Sequence, residues 1–299
     1  MDDTTAPGLL PAVLGELGWP PDCKRELVRQ VWRYSGVWRV SAPDGGTVIY
    51  KEAHAPLDRE HIALRYIGSM GLPVPRVLAA VQRDRRLGMV MTDLGEPDRD
   101  ATEADAAEVA AALHRCPGSD ALPVTGAAEL AVMPQRIEVR ALNCSLPPQA
   151  SAMAGRLAAE ARRLAAPAED PPFGFVHSEW HPSSVIVRDG CRHTYDLARA
   201  FRGPGLIDLA SWHGTITPAD PGATGALIAA YVAVGGHPGA LEPRAGLLPG
   251  EWALGWQRIW AVDWYCQQLV MGWVDGDRLP VYHEVIIRHL DEAVRLLRA

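Results

Sequence analysis

The densest chemistry in the chain lies between Phe175 and Asp208. The stretch FVHSEWHPSSVIV (175–187) crowds two imidazoles, a carboxylate and three hydroxyls together, and Asp196 and Asp208 follow in YDLARAFRGPGLIDLA (195–210). Three chemistries use such residues. His177 and His181 flank Glu179 and stand four apart, which on a helix would put both imidazoles on one face, as a zinc hydrolase requires. Glu179 is at the wrong offset for that reading, however, and Pro182 pushes His181 away from helical angles. The flanks FGFV and VIV also favour strands. His-Ser-Glu matches the H-x-E of zinc deaminases as well, but their metal shell needs a downstream P-C-x-x-C, which this chain lacks. The third reading is a catalytic loop between two strands, followed by a metal-binding aspartate. Glu179 would orient an acceptor hydroxyl, while Ser184 and Asp196 would offer oxygen ligands to a magnesium ion held against phosphates.

Such a loop needs elements to hold it. Leu27–Trp32, Val37–Val40 and Thr47–Tyr50 are β-branched or aromatic and are separated by turn residues, which predicts three strands joined by hairpins. A helix is expected over Asp58–Met70, stopped by Gly71, and two more strands over Val77–Val81 and Met89–Met91. Residues 1–22 hold at most a short helix near Ala12–Leu17. Beyond Asp93 the pattern is helical: Ala106–Arg115 behind a Thr102/Asp105 capping-box variant, then Ser151–Ala165, Ile207–Trp212, Gly225–Val234, Glu251–Val270 and Tyr282–Leu297. A β-like island, Phe173–Arg199, interrupts them. The expected fold is α+β and bilobal, with a small antiparallel sheet plus helix over 1–92 and a larger, mainly helical lobe over 93–299.

Composition narrows the partners. The 29 basic and 36 acidic residues give a net charge of −7, which argues against a nucleic-acid binder. No apolar run reaches the length of a membrane span, and the acidic start MDDTTAPGLL lacks the basic region of a secretory signal. Five scattered cysteines read as reduced thiols, so the expected location is cytoplasmic. Only Lys24 and Lys51 are lysine against 27 arginines. Where arginine is the default cation, a retained lysine hints at a chemical requirement.

His177–Val187 aligns without gaps on the loop HGDxHPxNxxx of the aminoglycoside phosphotransferase and choline kinase superfamily, and Tyr195–Ala210 on its segment I-D-W-E-x-A-x-x-G-x-P-x-x-D-L-A. Upstream, Val48-Ile49-Tyr50-Lys51 resembles the family's third-strand lysine and Arg59-Glu60 the glutamate that pairs with it. GLPVPRVL (71–78) resembles the linker into the fourth strand, Met89–Leu94 the hinge, and Leu113-His114 the end of the first long helix of the larger lobe. The resemblance spans roughly residues 28–270.

The resemblance implies a protein-kinase-like fold and ATP or GTP with Mg²⁺ as cofactors. It implies that Lys51 holds the α/β-phosphates with Glu60 fixing its direction, and that Ser35 and Gly36, in the thin loop Arg33–Trp38, cover them. Backbone groups of Thr92, Asp93 and Leu94 would take the base. Asp196 and Ser184 would hold the metal, Glu179 would act on the acceptor, and His177, His181 and Asp208 would anchor the loop. Three positions depart from the pattern: Ser178 for glycine, Glu179 for aspartate and Ser184 for asparagine. The acceptor would be a hydroxyl-bearing small molecule or a Ser/Thr of a precursor peptide, the latter alongside a partner lyase in natural-product biosynthesis. A degenerate kinase serving as a binding scaffold is the alternative. The stripe Trp252, Trp256, Trp260, Trp264 suits a helix–helix core better than a ligand platform. The nearby Glu251, Asp263, Asp275 and Asp277 suit either a cationic acceptor or a solvated acidic face.

Overall fold

In the computed structural model, residues 8–32, 35–144 and 146–299 are described. By internal contacts the chain divides into two units. The first runs to Asp100 and also takes Ser184–Ala200; the second comprises Ala101–Ser183 and Phe201–Ala299.

The first unit starts with α1 (Leu10–Glu16), followed by the strands β1 (Arg25–Trp32), β2 (Ser35–Ser41) and β3 (Thr47–His54). Helix α2 (Glu60–Ser69) then precedes β4 (Val77–Arg83) and β5 (Arg86–Thr92). The five strands form one antiparallel sheet in the order β1-β2-β3-β5-β4. Side chains alternate across β3, so Val48, Tyr50 and Glu52 share one face and Ile49, Lys51 and Ala53 the other. The first face packs with α1: Leu10, Val13 and Leu14 join Val40, Val48, Tyr50 and Val90 in one apolar cluster. Gly88 permits this approach, because a Cβ there would stand 2.7 Å from that of Leu9. Glu52 accepts the Leu9 N–H at 3.2 Å at the start of α1, and also bonds the Tyr50 hydroxyl and the Arg86 guanidinium.

The second unit continues with α3 (Glu103–His114), α4 (Ala127–Asn143), α5 (Pro148–Ala165) and the short strand β6 (Phe173–Val176). The chain returns to the first unit for the hairpin β7 (Val185–Arg188) and β8 (Cys191–Thr194), turned at Asp189-Gly190 with φ of 51° and 73°. That dipeptide is the sequence signature of a tight hairpin. Strand β9 (Phe201–Pro204) pairs antiparallel with β6 in the second unit. Helices α6 (Leu206–Ser211), α7 (Pro221–Ala233), α8 (Pro249–Val270) and α9 (Leu279–Leu297) complete it.

The predicted capping box forms: Thr102 accepts from Asp105 N–H, and Asp105 accepts from Thr102 N–H at 2.9 Å. Helix α7 begins at Pro221, four residues before the expected Gly225. Asp220 caps it through Gly222 and Ala223 N–H and proline occupies the first turn, a start signal present in the sequence. Helix α4 was not expected. Pro134 stands inside it and breaks the local signal, but its buried face of Leu130, Met133, Ile137 and Ala141 packs against α5 and α8. The tryptophan stripe is core: Trp252 and Trp256 are fully buried, and Trp252 Nε1 donates to Leu164 O at 2.8 Å.

The acidic groups near that stripe are only partly solvated. Asp263 is buried and accepts from Arg136 at 2.9 Å and Arg140 at 2.6 Å. Glu251 caps the start of α8 and pairs with Arg298. Asp275 and Asp277 are exposed.

Candidate active site

In the first unit the inner face of β3 presents Lys51, 7 % exposed. Its Nζ lies 2.6 Å from Glu60 Oε2 at the start of α2 and 2.6 Å from Asp196 Oδ1, beyond β8. Burial works against the ammonium charge, but the carboxylates of Asp196 and Glu60 outweigh it and raise the Lys51 pKa. The other Glu60 oxygen accepts the Leu197 N–H at 3.1 Å, so one glutamate fixes both the lysine and the backbone next to Asp196. Asp196 adopts φ of 64°, and its side chain is 46 % exposed. One ammonium and two carboxylates leave a net charge of −1, with Asp196 the more exposed of the two carboxylates. A divalent cation on Asp196 would reverse that sign and suit a polyphosphate. Ser184, 5 % exposed, is held through its carbonyl, which accepts from Tyr195 N–H at 3.1 Å. A carboxylate and a hydroxyl are hard oxygen ligands and fit magnesium. Among the described residues no three His, Cys, Asp or Glu side chains cluster as a metal shell, and 177–181 is not helical, so neither zinc reading finds support.

The expected base-binding segment follows β5. Thr92 and Asp93 spend their side chains internally: Thr92 Oγ1 accepts Arg76 N–H at 3.0 Å, and Asp93 accepts from Arg39 Nε at 2.7 Å and Thr47 Oγ1 at 2.9 Å. Ser35 and Gly36 lie at the start of β2, where the Trp38 ring would meet a Cβ on Gly36 at 2.3 Å. Arg33 and Tyr34 of the same loop fall outside the described residues.

In the second unit, β6 leads into the loop that begins at His177. The fully buried Asp208, at the start of α6, accepts His177 N–H at 2.8 Å and Ser178 N–H at 2.7 Å. His114 Nε2 lies 3.2 Å from the same carboxylate. This histidine was visible only as part of the Leu-His resemblance; Gly205 makes room for it, since a Cβ there would stand 2.6 Å from His114 Nδ1. Ser178 keeps φ at +77°, the left-handed conformation that a glycine takes without cost. His177 packs on Trp180, which in turn stacks near Trp212. His181 Nδ1 accepts Ser183 N–H at 3.2 Å, closing a local turn, and burial lowers its pKa. Glu179 is exposed. Asp208 thus holds the backbone at His177 and Ser178, and His181 closes a local turn within the loop that carries Glu179.

A cavity of about 260 Å³ opens in the same unit, lined by His213, Gly214, Thr217, Asp220 and Arg258 among others. It borders the loop, since a Cβ on Gly214 would stand 3.6 Å from the His181 ring.

Three solved structures show the same fold at low identity. The aminoglycoside phosphotransferase APH(4)-Ia, a thermostable mutant in ternary complex with ADP and hygromycin B, is 15 % identical with a TM-score of 0.59, covering 97 % of this chain and 98 % of that one. The amicoumacin kinase hAmiN in complex with AMP-PNP, Ca²⁺ and Ami is 12 % identical with a TM-score of 0.59, covering 89 % and 88 %. Macrolide 2'-phosphotransferase MphH from Brachybacterium faecium is 17 % identical with a TM-score of 0.57, covering 93 % and 97 %. No curated protein matches the sequence. The Phosphotransferase enzyme family, APH, matches residues 28–246, most of the chain. The chain belongs to this family of phosphotransferases, enzymes that take an alcohol group as acceptor.

Proposed function

We propose that the protein transfers the γ-phosphate of ATP to a hydroxyl of a small molecule, with the first unit binding nucleotide and the second the acceptor. The observation that carries this is the Lys51–Glu60–Asp196 cluster, a buried ammonium held between two carboxylates, one of them open. Lys51 would bind the α/β-phosphates, and Glu60 would keep it and the Leu197 backbone in place. Asp196 and Ser184 would hold magnesium, which supplies charge neutralisation to the phosphates. Glu179 would accept a hydrogen bond from the acceptor hydroxyl and aim its oxygen, and the cavity beside His181 would take the body of the acceptor. Antibiotic modification and natural-product biosynthesis both fit this chemistry, and a precursor-peptide serine or threonine is a second acceptor class.

A binding scaffold without turnover is the alternative. Against it stands the loop backbone: Ser178 holds a glycine-like φ, and Asp208 accepts both its N–H and that of His177, so the start of the loop keeps a fixed geometry despite the serine. The experiment is thermal stability with nucleotide and Mg²⁺. At a hundred dissociation constants the gain should be about 2.7 kcal/mol, and Lys51→Ala should abolish most of it. No shift with ATP or GTP would remove the basis of the reading.

A further inference from the structure

The segment after β5 is fixed by more than its own backbone. Gly95 has φ of +71°, its N–H is held at 2.9 Å by Asp93 Oδ1, and a Cβ on it would stand 1.8 Å from Arg188 Nη1. Arg188 uses that vacated space to donate to the Leu94 carbonyl. It is the last residue of β7, and the adjoining backbone is stitched to the same segment. Asp98 N–H donates to Val187 O at 2.9 Å, and Asp189 N–H to Asp98 Oδ2 at 2.8 Å. The Leu94 N–H, by contrast, has no hydrogen-bond partner among the described residues. Leu94 thus has an N–H left open and a carbonyl already engaged by a cation.

We infer that this arrangement selects adenine over guanine, with Arg188 as the residue that sets the preference; the inference rests on the nucleotide reading above. Adenine needs an N–H for its N1 acceptor and makes no demand on the Leu94 carbonyl. Guanine carries N–H donors at N1 and at its 2-amino group and an acceptor at O6. Bound through the same edge as adenine, it brings O6 to the Leu94 N–H, which turns both donors toward the Leu94 carbonyl. That oxygen already accepts from a guanidinium, whose positive charge also repels further donors. A donor left without an acceptor is penalised more than a bond is rewarded.

The test is calorimetric affinity for Mg²⁺-ATP and Mg²⁺-GTP on the full chain, for wild type, Arg188→Ala and Arg188→Lys, with the unliganded melting temperature of each as a folding control. Wild type should prefer ATP by about tenfold or more, the worth of one net hydrogen bond. Arg188→Ala should narrow the ratio to about threefold or less, chiefly through tighter GTP binding, because the Leu94 carbonyl becomes free. Arg188→Lys should keep most of the preference, since an ammonium still donates to that oxygen. If the alanine variant does not fold, Arg188→Met, which keeps the stem and removes every donor, should narrow the ratio instead. Equal affinities in wild type, or a ratio untouched by Arg188→Ala or Arg188→Met, would overturn the inference while leaving the nucleotide reading intact. Binding of neither nucleotide would overturn both.

Discussion

Each unit buries a cluster of charge, and the two are built differently. In the first, Lys51 is shared by Glu60 and Asp196, and the Asp196 side chain remains 46 % exposed. In the second, Arg258, 1 % exposed, donates to Glu292 at 2.7 Å and spends further N–H groups on the carbonyls of Gly214 and Thr217. Glu292 also accepts Ala219 N–H at 3.0 Å, and Arg288 donates to Thr215 O at 2.6 Å. There, Arg258 is matched by Glu292, and most of the remaining arginine donors go to the backbone of the loop after α6. Burying an ion costs several kcal/mol unless it is compensated, so both clusters must close their accounts with partners. The second finds its partners chiefly within the protein, with Arg258 also lining the cavity beside the loop. The first leaves the Asp196 side chain exposed, where an arriving cation can meet it.

The sharpest way to break this comparison is through catalysis. Glu179→Gln should slow phosphate transfer by about 10²–10⁴ while leaving nucleotide-induced stabilisation intact, because the proton acceptor is lost and the Lys51 cluster is not. Single-turnover transfer to the acceptor measures it, and equal rates would take Glu179 out of the mechanism. Glu179→Asp should also be impaired, since about 1 Å of misplacement costs roughly a hundredfold.

The scaffold cluster should respond in stability instead. Arg258→Leu leaves Glu292 buried without its cation and should cost about 3–5 kcal/mol in denaturant unfolding, with nucleotide affinity of the folded protein unchanged. A loss of affinity as large as the loss of stability would erase the distinction between the clusters.

A pH titration sharpens the same point. Burial opposes ionisation of Glu292, but His289 at 3.6 Å, the Ala219 N–H and Arg258 outweigh it and hold its pKa at about 2, below the ordinary 4.5. A depressed folded-state value means the stabilisation is present above pH 4.5 and is lost as pH falls toward 2. Roughly 3 kcal/mol should disappear over that window, and Glu292→Gln should remove this part of the pH dependence.

The smallest effect concerns Ser178, which holds φ of +77° and buries an Oγ with no partner among the described residues. Ser178→Gly should raise stability by about 1 kcal/mol, as relief of the left-handed strain exceeds the added chain entropy. A destabilised variant would mean that the serine, not the turn, holds the loop.

The sequence by itself determined what neighbouring residues decide. Turn residues placed the hairpins of the first sheet, Gly71 ended α2, and Thr102 with Asp105 capped α3, because these features depend on backbone angles and hydrogen bonds within a few residues. The family resemblance of His177–Val187 likewise pointed to Glu179 and Ser184, and that of Tyr195–Ala210 to Asp208, before any coordinates. What only the tertiary structure decided is which distant groups meet. Helix α4 exists despite Pro134 because its apolar face is buried by α5 and α8. Asp263 became an arginine-bound structural ion and Glu251 a helix cap, where composition allowed an acidic face or a cation site. The bonds from His114 to Asp208 and from Arg188 to Leu94 each join residues 94 positions apart. No local propensity carries such a pairing: it is fixed when apolar faces pack and every buried donor must find the acceptor that packing has brought within reach.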